Sequence, residues 1–377
     1  MNTATSADSR RGWLVGPWFD SLCVAWAWVP FYVFVVFGLG LDGEWSLHGR
    51  DGNGTEPGLG LALLVALGIS YVHRHYTFLL VYGDRETYRQ RLRAYTLVPA
   101  LLFVALAVIL RVQGDARLEL FGLSLAPWML VLVVTGGWNI WHTIMQRHGL
   151  TRIYAGKAGG GLEARAHGRR DLWLLWSAVA LTAALTLRFR GSTFAGIGNA
   201  RKLLATLEPL THGWLGNGVV ALVTGLFGWA AWRWWTAERA ATPSPRIPRA
   251  SFMLSTLALL AVFVVHGPIT GYLCFGVAHA LEYVSFFHVF GRAKFAKREQ
   301  QVGPAAWLLA RPLWSGPLFA LALAGLFLLL VDRRDSEAYL VYYTATSLLH
   351  FLYDGWIWKV RKPEVAKPLG LASSPPA

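Results

Sequence analysis

Long apolar runs without charged residues constrain this chain more than any other feature. One such run includes residues 128–135, and comparable runs recur along the whole sequence. Their length of about twenty residues is what a helix needs to cross a bilayer. Only 15% of the 377 residues are charged, whereas roughly 25% is usual in soluble domains. The pattern predicts an all-α fold, a polytopic transmembrane helical bundle.

The apolar runs predict ten membrane spans. They lie at residues 18–41, 58–82, 94–110, 125–145, 172–187, 213–235, 251–266, 268–290, 313–331 and 338–359. Residues 18–359 are therefore expected to form one membrane domain, with tails at 1–17 and 360–377. Only the sequence His266-Gly-Pro268 separates spans seven and eight, so these two spans form either a tight outer turn or one kinked helix.

Basic residues fall mainly in alternate loops. Most of the 35 Lys and Arg residues lie in loops on the same side as both termini, and loops of this kind face the cytoplasm. The chain is therefore expected in a bacterial inner membrane with both termini cytoplasmic. The net charge of +14 favours anionic membrane lipids as partners. Because the sequence has neither a Gly-rich phosphate loop nor a basic-aromatic surface, no nucleic-acid partner is expected.

Histidines and carboxylates recur at the inner ends of the even-numbered spans. They are His73 and His75 in span two, His142 and His148 in or just after span four, His279, Glu282 and His288 in span eight, and His350 and Asp354 in span ten. Ionisable groups within a span are costly, and are therefore usually functional. Their shared depth predicts that these side chains meet in one metal site.

Imidazole and carboxylate groups together bind iron, manganese and zinc, and two spans carry well-spaced pairs of them. His350 and Asp354 are four residues apart, and His279 and Glu282 are three apart, so each pair lies on one helix face. Glu282 is predicted to bridge metals or to support a ligand imidazole. The two cysteines, by contrast, lie in apolar runs and predict neither a disulfide nor a thiolate site.

Three polar residues share one face of span four. Asn139, His142 and Gln146 follow one another at spacings of three and four. His142 is a predicted ligand, Gln146 is expected to orient the site, and Asn139 completes the polar face. Together with Glu282, Asn139 and Gln146 are therefore predicted to take part in catalysis.

Span two has a spacing that fits one metal less well. His73 and His75 are roughly 200° apart on an ideal helix. Both can bind only if the helix is distorted or if each faces a different metal. Arg74, between them, is predicted to pair with Asp84 or Glu86, or to meet an anionic headgroup.

Histidine clusters at the cytosolic ends of membrane helices resemble those of integral-membrane non-haem iron enzymes, the fatty-acid desaturases and the sterol and alkane hydroxylases. The HxxxH and HxxHH boxes of those families are absent here. The segment from His350 to Asp354, followed by Gly-Trp-Ile-Trp-Lys, is similar to the H-xxx-D pairs of bacterial carotene-cleaving oxygenases of the Brp/Blh type. The resemblance implies one or two non-haem irons, a lipid or isoprenoid substrate, and an electron-donor protein.

Two other functions would use the same residues. In a haem protein, histidine pairs would be axial ligands for electron transfer. In a transporter, the His, Glu and Asp side chains would relay protons or metal ions. Zinc-dependent intramembrane proteolysis is disfavoured because no HExxH motif is present.

Overall fold

The computed structural model describes residues 12–41, 57–112, 117–120, 123–158, 163–190, 207–240, 246–297, 302–360 and 362–371. Helices account for most of these residues, and the prediction of an all-α fold is confirmed at the level of fold class. One feature was not expected. Strands β1 (Leu118–Leu120) and β2 (Leu123–Leu125) form a short antiparallel hairpin.

In chain order the helices are α1 (Pro17–Ala25), α2 (Val29–Gly38), α3 (Pro57–Gly83), α4 (Arg85–Gln90), α5 (Leu92–Val112), α6 (Pro127–Lys157), α7 (Glu163–Arg190), α8 (Gly213–Ala240), α9 (Arg246–His266), α10 (Pro268–Lys294), α11 (Pro304–Ala310), α12 (Pro312–Val331), α13 (Glu337–Ile357) and α14 (Pro363–Ala366). Helices α1 and α2 end in π-helical turns, and they are bent by 46° relative to each other.

Six helices of the described part of the chain are long and apolar enough to cross a membrane. They are α5, α8 and α10, together with Gly168–Arg190 of α7, Ile247–His266 of α9 and Trp314–Val331 of α12. The bent pair α1–α2 would make a seventh span. Each coincides with a predicted span, and these apolar helices are those of an integral membrane protein. The other three predicted spans correspond to α3, α6 and α13, which carry five of the eleven histidines.

The described residues divide into two compact units. The first contains the described residues up to Ala66 together with Ile144–Glu282, and the second contains Leu67–Thr143 together with the described residues from Tyr283 onward. The prediction of one membrane domain across residues 18–359 stays a prediction.

In the first unit, α7 packs against α8 and α9, and α9 packs against α1. Two tryptophans of the α1–α2 corner direct their indole N–H groups at serines of α9. Trp26 donates to Ser251 over 3.1 Å, and Trp28 donates to Ser255 over 2.9 Å. These bonds satisfy polar groups that would otherwise be buried without partners.

The turn between α9 and α10 shows that spans seven and eight are separate helices. Gly267 has a φ of 89°, a left-handed conformation that favours glycine. Pro268 then begins α10. Proline lacks a backbone N–H, but at the first position of a helix that group would have no partner within the helix. The sequence left open a turn or a kink, and the structure has the turn.

In the second unit, α13 packs against α5. A buried apolar cluster holds the two helices together, formed by Leu106, Leu110, Trp128, Val341, Ala345, Leu348 and Phe351. Ser336 caps the start of α13, because its hydroxyl accepts the backbone N–H of Tyr339 over 3.2 Å. The cap and the apolar contacts fix α13, which carries His350 and Asp354.

Candidate metal centre

Three helices of the second unit bring four of the predicted ligands together. Nε2 of His73 lies 3.1 Å from Nε2 of His350. Oδ2 of Asp354 lies 3.5 Å from Nε2 of His142 and 3.7 Å from Nε2 of His350. None of the four residues is more than 6% exposed. The cluster therefore joins α3, α6 and α13 in a buried environment.

These separations suit a shared metal ion. Ligands about 2.1 Å from a metal, at angles between a right angle and a tetrahedral angle, are about 3.0–3.4 Å from one another. The measured separations lie within that range or a few tenths of an ångström above it. His142, His350 and Asp354 each offer a ligand atom, and these atoms lie within 4.8 Å of one another. His73 adds a further imidazole nitrogen beside His350.

Thr77 orders the two ligands of α13. Its Oγ1 lies 2.8 Å from Nδ1 of His350 and donates to Oδ1 of Asp354 over 3.0 Å. An ionised carboxylate can only accept, so the threonine hydrogen goes to Asp354 and Nδ1 of His350 donates to Thr77. Nε2 of His350 then carries the lone pair that a metal needs. Thr77 lies four residues after His73, so the two share one face of α3.

Tyr283 holds the same carboxylate from another helix. Its hydroxyl donates to Oδ1 of Asp354 over 2.9 Å and lies 2.6 Å from Oγ1 of Thr77. The indole N–H of Trp358 donates to this hydroxyl over 3.3 Å. Oδ1 of Asp354 is thus occupied by hydroxyl donors, while Oδ2 faces the imidazoles. The site residues predicted from the sequence do not include Thr77, Tyr283 or Trp358.

His75 and His288 also belong to the second unit, but they lie apart from these four residues. Nδ1 of His75 bonds the carbonyl of Tyr71 over 2.6 Å, and its Nε2 bonds the hydroxyl of Tyr342 over 2.9 Å. Nε2 of His288 bonds the hydroxyl of Tyr76 over 3.1 Å. The ideal-helix angle between His73 and His75 accounts for the separation of those two residues. Partly buried Asn139 lies one turn before His142 on α6.

Arg74 does not pair with Asp84 or Glu86, and that prediction was wrong. Its guanidinium donates to the carbonyl of Tyr343 over 2.9 Å and to hydroxyls of Thr346 and Ser347. It also lies 3.8 Å from the ring centroid of Tyr343. Asp84 instead forms an ion pair with Lys294. Arg74 therefore ties α3 to α13, next to the candidate ligands of both helices.

The remaining predicted residues lie in the first unit. Buried His279 is on α10, and its backbone carbonyl accepts from Nε2 of Gln146 over 3.1 Å. Gln146 therefore binds the main chain of α10 here, although it was expected to orient the site. Nε2 of His148 bonds the carbonyl of Gly168 over 3.0 Å.

Glu282 forms a fully buried ion pair with Arg147. Arg147 also donates to Oγ1 of Thr256 over 2.7 Å and lies 5.1 Å from the ring centroid of Phe252. Sequence reasoning placed Arg147 in a basic inner loop, yet α6 continues to Lys157 and buries this arginine. Glu282 was predicted to bridge metals or to support a ligand imidazole, whereas its ion-pair partner in the structure is Arg147.

No family model, no curated protein and no solved structure matches this chain. Function is therefore inferred from the geometry of the described residues.

Proposed function

We propose that the chain is an integral-membrane, metal-dependent oxidoreductase whose non-haem iron is bound by His73, His142, His350 and Asp354. The convergence of these four side chains carries the proposal. His142, His350 and Asp354 make up the two-imidazole, one-carboxylate set typical of non-haem iron(II) oxygenases. His73 adjoins His350 and supplies a third imidazole. One iron fits this cluster, and a second iron would need ligands beyond it.

The surrounding residues have distinct roles in this proposal. A bound iron would supply the one-electron chemistry needed to activate dioxygen. Asp354 contributes the negative charge of the site, and Thr77 and Tyr283 fix its orientation through Oδ1. Phe351 packs 4.9 Å from the ring of His142. Burial of the ligands keeps bulk water away from reactive species.

The proposed substrate is a lipid or an isoprenoid, which would be hydroxylated, desaturated or cleaved. Apolar helices that lie within a membrane give such a substrate access to a buried centre. Electrons would come from a donor protein. The alternation of basic loops supports ten spans, cytoplasmic termini and a bacterial inner membrane for this enzyme.

The geometry favours non-haem iron over haem at this cluster. Two axial imidazoles on one haem iron have nitrogens about 4 Å apart, twice a metal–nitrogen bond, with the porphyrin between them. The Nε2 atoms of His73 and His350 are 3.1 Å apart. That separation suits neighbouring ligands on one side of a metal.

A second function has a separate observation in its favour. Arg147 and Glu282 form a fully buried ion pair within the first unit. Charges inside apolar helices often relay protons or ions. We therefore retain a transporter or proton relay as the alternative. Flux in proteoliposomes that persists after His350→Ala, and stops after Glu282→Gln, would favour this alternative over the enzyme.

The proposal is tested by metal analysis of the detergent-purified chain. We expect stoichiometric iron, no Soret band, and loss of most iron in the His350→Ala and Asp354→Asn variants. His288→Ala and His75→Gln are the matched controls, because these histidines lie outside the cluster, and they should retain iron. A folded wild-type chain from iron-replete cells that carries no transition metal would contradict the proposal. Equal iron loss in ligand and control variants would contradict it as well.

A further inference from the structure

The second unit contains a cleft lined by basic and aromatic side chains, whose residues differ from the candidate metal ligands. We propose that a basic cleft where α3, α10 and α13 end binds the phosphate group of an anionic phospholipid. This inference goes beyond the oxidoreductase activity and does not depend on it.

The cleft is lined by both apolar and polar residues. They are Leu80, Thr87, Gln90, Arg91, Tyr95, Phe290, Lys294, Trp356, Ile357, Lys362, Glu364 and Val365. Its volume of about 30 Å³ exceeds the roughly 10–15 Å³ that one water requires. The space suits a compact group such as a phosphate, and acyl chains would have to lie outside it.

The charged side chains of the cleft match a phosphodiester. Arg91, Lys294 and Lys362 bring three cations to the cleft, and Glu364 brings one carboxylate. Lys294 is paired with Asp84. Among the described residues of the cleft, one positive charge is therefore left over, which a singly charged phosphodiester would neutralise. A zwitterionic headgroup would bring its own cation toward the same basic side chains.

Aromatic contact holds one of the cations in position. The guanidinium of Arg91 lies 5.5 Å from the ring centroid of Trp356. Trp356 contacts Tyr95, with ring centroids 5.7 Å apart, and Tyr95 is buried. Tryptophan beside a basic residue is typical of the headgroup level of a membrane. The cleft is thus partly preorganised for an anion.

The apolar face of α5 explains why the ligand would be a lipid rather than free phosphate. Arg91 immediately precedes α5, one of the candidate membrane spans. Leu97, Leu101, Val104 and Val108 lie on one face of this helix and are each more than half exposed. This face begins about 9 Å beyond Arg91, at about 1.5 Å per residue. A lipid with its phosphate in the cleft would lay its acyl chains along it.

The test uses the full-length chain, delipidated in detergent and titrated with dioleoyl phosphatidylglycerol or dioleoyl phosphatidylcholine in native mass spectrometry. We expect tighter binding of phosphatidylglycerol. Each of Arg91→Gln and Lys362→Gln should weaken it about fivefold, the effect of one basic residue near an anionic headgroup. Arg89→Gln is the matched control, because exposed Arg89 lies two residues away and outside the cleft lining. It should bind phosphatidylglycerol like the wild type.

Three results would overturn the proposal. Equal loss of binding in Arg89→Gln would reveal diffuse attraction to a basic surface. Equal affinity for the two lipids would remove the role of headgroup charge. Binding of inorganic phosphate without lipid, with the same dependence on Arg91 and Lys362, would assign the cleft to a free anion. An unchanged elution volume of the variants in size-exclusion chromatography would show that they fold, whatever the lipid result.

Discussion

At the scale of single residues, Thr77 connects both candidate ligands of α13. Its hydroxyl accepts from His350 and donates to Asp354. Groups of this kind fix the tautomer and orientation of a ligand imidazole. A residue that touches no metal can therefore determine how well the metal is held.

Replacing Thr77 with valine keeps the shape of the side chain and removes these hydrogen bonds. We expect the affinity for iron to fall by about 10–100-fold, as for other residues that support metal ligands. Equilibrium competition with a chelator measures the change. Thr87→Val is the control, because buried Thr87 donates to Asp84 in the same unit without touching the ligands. Equal losses in both variants would show that any buried threonine in this unit matters.

The buried pair of the first unit gives a second prediction at this scale. Glu282→Gln leaves the guanidinium of Arg147 buried without its counter-charge, and should lower the free energy of unfolding by about 3–5 kcal/mol. The double variant Arg147→Met, Glu282→Leu removes both charges and should lose much less. Reversible denaturation in mixed micelles compares the two. A double variant as unstable as Glu282→Gln would show that the pair itself stabilises the fold.

The residues of the site could be predicted only in part, for physical reasons. A histidine or carboxylate in an apolar helix stands out because its burial is costly, and His73, His142, His350 and Asp354 were selected on that basis. Threonine and tyrosine are common in membrane helices, so Thr77 and Tyr283 carried no such signal. Only the four-residue spacing of Thr77 from His73 could have indicated a role.

At the scale of helices, the contact between α9 and α10 depends on a glycine. A Cβ atom at Gly271 would lie 2.4 Å from Cγ of Phe263, which is far inside van der Waals contact. We expect Gly271→Ala to push the two helices apart and to cost about 1–3 kcal/mol, as overpacking does. Thermal unfolding in detergent measures the change.

Gly276→Ala is the matched control for that substitution. Gly276 lies on the same helix, and a Cβ there would meet nothing within 4 Å. Because alanine has the higher helix propensity, this variant should be as stable as the wild type or slightly more stable. A drop in stability equal to that of Gly271→Ala would show that α10 tolerates no alanine, whatever the packing.

The positions of the helices followed from apolar runs, but two other features of the fold did not. Helix α6 continues to Lys157, well past the predicted end of span four at residue 145. Positive charge after an apolar run predicted a loop there, whereas Arg147 is neutralised by Glu282 and remains buried in the helix. The hairpin β1–β2 was also missed. Its strands of three residues each are too short to produce a recognisable alternation of polar and apolar residues.

At the scale of the whole molecule, exposed apolar surface supports a membrane location. Helix α8 exposes Leu222, Leu226, Trp229 and Trp232, and α12 exposes Leu321 and Leu329. Contiguous exposed apolar surface of this kind marks a membrane or a protein interface. Within the described part of the chain, however, candidate spans number six or seven by length and composition, against ten from the sequence. The difference concerns α3, α6 and α13, whose polar residues lower their hydropathy.

The side of the membrane on which the two termini lie distinguishes seven spans from six or ten. An even number of spans, six or ten, places both termini on the same side, whereas seven spans place them on opposite sides. In a chain whose own cysteines are replaced by Cys23→Ser and Cys274→Ala, single cysteines can be introduced by Val15→Cys, Arg333→Cys or Lys367→Cys. These positions are exposed and lie before α1, after α12 and after α14.

We expect a membrane-impermeant maleimide, applied to intact cells, to label only Arg333→Cys. Val15→Cys and Lys367→Cys should react after the membrane is permeabilised, because basic segments face the cytoplasm. Reaction of Val15→Cys and Lys367→Cys on opposite sides would contradict an even number of spans. An elution volume like that of the wild type provides a check on each variant, since it shows that the variant has kept the fold whose orientation is being measured.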